Sequence, residues 1–193
     1  MQLLWDKYSY SYGTNQVYGN KNSDVHITSE IKGDNTPFLH VSSPPVVSRV
    51  GIDLHVNDLS NEEDYLWLKS LIWPNHHERR KLFEKAANYV RKNPLTLIEG
   101  DGVTLLSKIS KKIPKDHVIC VFHTHVANQM PLNSKIRLLE EIKTIGKDRD
   151  IFHLYNNMRD RDIHLDYYID RNEYTKIVGR TDGHGRWFYW DLE

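Results

Sequence analysis

The sequence predicts an α/β fold organised around a mostly parallel sheet, and three observations carry that expectation. Short apolar runs occupy residues 49–54, 95–98 and 118–122, each closing in a polar turn. Stretches with helical periodicity separate them, which is the pattern of βαβ units. The third run is apolar on both faces, as a central buried strand requires. Ligands of such sheets lie outside the carboxyl ends of the strands, where Asp53, Asp101 and the His123/His125 pair fall.

Taken in order, residues 3–5 read as the end of a helix, and residues 8–13 alternate with period two and stop at Gly13. Val25, Ile27 and Ile31 mark a second strand before the turn-rich 32–37. Residues 1–45 are therefore expected to hold a helix remnant and a β excursion, and residues 46–193 the main domain. Ser60 with Glu63 fits a capping box, ahead of a helix with Tyr65, Leu68, Leu71 and Ile72 on one face. Asn75 and Glu78 suit the start of a second helix, which Asn93-Pro94 stops.

A helix bearing Leu105, Leu106 and Ile109 follows the second core strand, and another with Leu138, Leu139, Ile142 and Ile145 follows the third. Gly146 is placed to stop the latter. A fourth strand is expected at 150–155. The β-rich tail should close as an antiparallel hairpin around Asp182-Gly183-His184-Gly185.

Lys plus Arg and Asp plus Glu both total 26. This balance argues against broad binding to a nucleic-acid backbone, which needs a basic face. Hydrophobic residues make up 39% of the chain, enough for a core. The single Cys120 cannot form an internal disulfide and reads most simply as a buried small hydrophobe. No apolar run approaches the roughly 20 residues of a membrane span, and the N-terminus lacks the basic-then-apolar order of a secretory signal. The expected location is cytoplasmic.

Val50-Gly51-Ile52-Asp53-Leu54 resembles the second strand of a Rossmann-like S-adenosylmethionine methyltransferase, whose terminal acid binds the ribose hydroxyls. Gly100-Asp101-Gly102 resembles the acidic turn that touches adenine, and residues 118–125 the fourth strand with its catalytic-side loop. The resemblance implies a three-layer, methyltransferase-type sheet with an antiparallel C-terminal hairpin. It also implies S-adenosylmethionine as cofactor, with Asp53, Leu54, Asp101 and Gly102 at its nucleoside.

Leu3-Leu4-Trp5-Asp6-Lys7-Tyr8, residues 48–53, Trp73-Pro74, Glu99-Gly100-Asp101 and residues 121–124 together resemble an uncharacterised bacterial family of unknown function. Longer members carry a further N-terminal region ending in a glycine-containing turn. That comparison implies a missing first strand: the chain is a truncated fragment, which is the favoured reading, or it is completed by another polypeptide, or strands two and four pair directly. It further implies a completing N-terminal chain or self-association through bare sheet edges.

Turn chemistry alone also accounts for Gly-Asp-Gly, and an acid at Asp53 also suits a loop before a helix. His123 and His125 share one face if the strand persists that far, which suits a general base or two zinc ligands. The leading functional expectation is a methyltransferase-like protein, possible as a fragment, with a vestigial or partner-completed site for a small-molecule ligand. The alternatives are a non-enzymatic degenerate Rossmann module and a metal-dependent hydrolase using His123 and His125.

Overall fold

A computed structural model describes residues 2–40 and 43–192. After a 3-10 helix at Gln2–Lys7 come β1 (Ser9–Ser11), β2 (Tyr18–Gly19), β3 (His26–Thr28), β4 (Glu30–Lys32) and β5 (Val50–Asp53). Helices α1 (Glu62–Ser70) and α2 (His77–Lys92) lead to β6 (Thr96–Glu99) and α3 (Gly102–Ser110). The remaining elements are β7 (Ile119–His123), a 3-10 helix at Val126–Gln129, α4 (Leu132–Gly146), β8 (Ile151–Tyr155), β9 (Asp162–Ile169), β10 (Asn172–Thr181) and β11 (Trp187–Trp190). The chain forms two compact units, one of residues 1–29 and 38–101, the other of residues 30–37 and 102–193.

In the first unit, β1 pairs antiparallel with β2 and parallel with β3. Strands β5 and β6 form a separate parallel pair, in register from Val50↔Thr96 to Asp53↔Glu99. Helix α2 has the amphipathic pattern that burial on one side demands. Its Ala86 joins a cluster with Leu4, Tyr8 and Val25, and its Phe83 and Ala87 join one with Leu59. Arg49 donates from Nε to the Leu3 carbonyl and from Nη2 to Asp6 at 2.5 Å, tying β5 to the first helix. The cap of α1 is Asn61, which accepts from the amides of Glu63 and Asp64, in place of the expected Ser60. Its side-chain oxygen accepts from the amides two and three positions along, as an N-cap residue does.

The second unit holds a six-stranded sheet in the order β4-β11-β10-β9-β8-β7. This overturns the expectation of one mostly parallel, three-layer Rossmann-like sheet. The four runs at 50–53, 96–99, 119–123 and 151–155 are strands, but β5–β6 and β7–β8 belong to different sheets. The six-stranded sheet is largely antiparallel, because β8, β9, β10 and β11 succeed one another through short connections. Asp170 and Arg171, both with positive φ, make the two-residue turn between β9 and β10. Asp182 accepts from the Arg186 amide and side chain, shaping the turn before β11 as the sequence led us to expect.

Helices α3 and α4 supply Val103, Leu106, Leu138, Ile142 and Ile145 to one core with Ile119, Ile151, Tyr155 and Tyr168. Gly146 is not the stop beyond α4 but its last residue, buried against the Tyr168 ring. A Cβ there would lie 2.2 Å from Tyr168 Cγ. Gly146→Ala is expected to cost about 1–3 kcal/mol through overpacking, despite alanine's better helix propensity. Urea unfolding checks this, and a stabilised variant would refute the packing account.

Candidate functional site

Two constellations stand out, one in each unit. In the first unit, the parallel register sets Asp53 directly beside Glu99 at the carboxyl ends of β5 and β6. Both are exposed. The Asp53 carbonyl accepts from the Gly100 amide at 2.8 Å, which fixes the turn leading to Asp101. Asp53 Oδ1 accepts from the His55 amide at 3.3 Å, and Glu99 Oε2 accepts from the Val56 amide at 3.1 Å. His55 Nδ1 stands 3.4 Å from the same Glu99 oxygen. Leu54 is 77% exposed, a bare aliphatic side chain next to these carboxylates. Asp101 is exposed in the turn that follows β6. Gly102 opens α3 and belongs to the second unit.

In the second unit, period-two alternation places His123 of β7, His153 and Tyr155 of β8, and His164 and Asp166 of β9 on the helix-covered face. His123 Nε2 and His153 Nε2 lie 3.1 Å apart. One ring must donate and the other accept, so the two carry different tautomers. The Nδ1 atoms of both rings are buried without a partner among the described residues. Burial pulls the His123 pKa down to about 4. Burial, with some repulsion from His123, pulls that of His153 down to about 3. Both imidazoles are therefore neutral at pH 7.

The Tyr155 ring stacks on His153 at 4.4 Å and on His164 at 5.2 Å between centroids. Its hydroxyl donates to Asp166 Oδ2 at 2.9 Å, and burial raises its pKa. His164 pairs with Asp160 at 2.8 Å, a contact that holds the Asp160 carboxyl below its ordinary range. Asp166 also lines a cavity of about 150 Å³ with Lys143, Arg159 and Glu173.

The two histidines singled out in the sequence have different partners. β7 ends at His123, and His125 takes a left-handed conformation with φ of 62°. The His125 amide donates to Asn156, and its ring faces Asn157 at 3.3 Å. Among the described residues, no group of three or more His, Cys, Asp or Glu side chains is arranged to hold a metal ion. His153, Tyr155, His164 and Asp166 escaped the sequence reading. Their signal was present as polar residues at every second position of two apolar strands, in line with Ile151 and Tyr168.

The fold and these constellations define a protein of helices and mixed, partly antiparallel sheets, with carboxylates at the ends of a parallel strand pair and a neutral histidine pair in a separate core. The chain belongs to the family described as "Uncharacterized protein conserved in bacteria (DUF2332)", which matches residues 1–190. No curated protein and no solved structure matches it. Among the described residues, no helix is long and apolar enough to cross a membrane.

Proposed function

We propose that the carboxyl ends of β5 and β6 recognise the sugar of a nucleoside cofactor of the S-adenosylmethionine type, in a methyltransferase-like protein. One observation supports this above the others: the register holds Asp53 and Glu99 side by side and exposed, although like charges in neighbouring strands repel. Such an arrangement gains from a ligand that donates hydrogen bonds. A carboxylate accepts two at once, which suits a vicinal diol. Leu54 offers an apolar surface to a base.

The same charges select among nucleosides. Asp53, Glu99 and Asp101 repel phosphate and favour a cationic substituent. When bound, S-adenosylmethionine supplies a methyl group on a positively charged sulfur. This chain's residues would hold the diol and keep phosphorylated analogues out.

Amide chemical shifts during titration with adenosine, S-adenosylmethionine and adenosine monophosphate test the reading. The first two are expected to move residues 53–56 and 99–101 saturably, and the monophosphate to bind more weakly. Asp53→Ala should weaken binding by about 1–3 kcal/mol, the scale of lost charge-assisted hydrogen bonds. Unmoved amides with both adenosine and S-adenosylmethionine would sink it.

A further inference from the structure

Strand β7 ends the six-stranded sheet, with β8 as its only neighbour among the described residues. The Ile119 amide donates to the Asp150 carbonyl, so Ile119, Val121 and His123 turn their backbone groups toward β8. By alternation, the N–H and C=O of Cys120 and Phe122 point out from the free edge. Natural edge strands are guarded by lysine, proline, bulges or inward charges. β7 reads Ile-Cys-Val-Phe-His and pairs with β8 without a register shift, so it carries none of these. Its composition is that of an interior strand.

We propose that this edge pairs with the same edge of a second copy of the chain, antiparallel about a twofold axis at Val121. Three features favour a copy over an unrelated strand. The free groups are self-complementary, since a twofold at Val121 sets Cys120 opposite Phe122 of the other copy. Each such pair exchanges both backbone hydrogen bonds, and the two Val121 side chains meet at the closely spaced position between them. β7 carries no Asp, Glu, Lys or Arg, so the twofold brings no like charges together. The formal net charge of zero adds no long-range repulsion. Finally, the outward face beside the edge is apolar and bare, with Val118 60% and Leu154 38% exposed and Cys120 also exposed. Pairing continues that face across the axis.

Sedimentation equilibrium and light scattering of the whole chain over a dilution series test the proposal. The expected result is a reversible monomer–dimer equilibrium. Phe122→Pro removes one outward N–H while leaving the β7–β8 ladder intact, because proline is tolerated on the free side of an edge strand. It should shift the chain to monomer with an unchanged circular dichroism spectrum. Cys120→Lys, which places a guarding charge on the edge, should do the same and decides the matter if the proline variant fails to fold. Phe122→Cys should give a covalent dimer on oxidation, through Cys120 of the other copy. A monomer at every concentration overturns the proposal and leaves the edge to a strand from a different polypeptide. A dimer that survives Cys120→Lys overturns it as well.

Discussion

Replacing Arg149 with alanine is expected to destabilise the second unit by about 4 kcal/mol or more, because one buried guanidinium satisfies several carbonyls at once. Arg149 is only 9% exposed. Its Nη1 donates to the carbonyls of Ser110 and Ile113, and its Nη2 to those of Pro114 and His117. These carbonyls belong to the end of α3 and to the loop that delivers β7. A helix end leaves such acceptors without intrahelical partners, and a cation there also complements the helix dipole. Alanine would strand all four. Arg149→Lys should recover less than half of the loss, since a point ammonium cannot reproduce the planar fork. Urea unfolding measures both variants. A loss below about 1 kcal/mol for alanine would show that water replaces the guanidinium.

Acid should unfold the same unit well before its carboxylates protonate. The ordinary histidine pKa is 6.5, and the folded values of His123 and His153 are about 4 and about 3. Both folded values lie below the unfolded one, so the unfolded chain binds protons first as the pH falls. The stability is fully present above the unfolded pKa and is lost as pH drops through 6.5 toward 4 and then 3. Each pKa displacement of one is worth about 1.4 kcal/mol, so the pair draws on the order of 5 kcal/mol from the unit between pH 6.5 and 4.5. Asp160 and Glu173 are held below their ordinary values by hydrogen bonds from His164 and Lys143, and they contribute only at lower pH. Stability measured between pH 7 and 4.5, a window chosen to lie above those carboxylates, therefore isolates the histidines. A His123→Leu/His153→Phe double variant should flatten the slope there at little cost at neutral pH, since both partners of one hydrogen bond leave together. An unchanged slope would place the acid sensitivity elsewhere.

The pattern of residues located the elements better than their partners. The runs at Val50–Asp53, Thr96–Glu99, Ile119–His123 and Ile151–Tyr155 were legible because apolar stretches between turn residues have few alternatives. Their division between two sheets was not, because period and composition describe one strand's faces and say nothing of its neighbour. The antiparallel majority in the larger sheet follows instead from short connections, and the Asp170–Arg171 turn carries no glycine to announce it. The break at Ser29 between β3 and β4 was hidden for a similar reason. The alternation runs on across it, although β3 joins β1 and β4 joins β11.

The sites divide the same way. Asp53 and Asp101 could be placed at strand ends from local sequence, and the structure sets both there, exposed. Glu99 gained its place beside Asp53 only through the register of β5 and β6. The partnership of His123 with His153 joins residues from separate strands, so only the β7–β8 pairing reveals it.

The pairing of β4 with β11 sets the order in which the larger sheet can be finished. β4 is the first of the six strands in the chain and β11 the last, and they lie side by side in parallel. The hairpins from β9 to β11 close short loops and can form quickly, whereas β4 must wait for a closure that spans all of the intervening chain. During synthesis β4 emerges before any of its five companions and is left without a partner until the last of them is made. The late arrival is β11, with its run of Trp, Phe, Tyr and Trp, and its outer edge is the one that β4 pairs with. Until then β4 is open to pairing with the wrong strand.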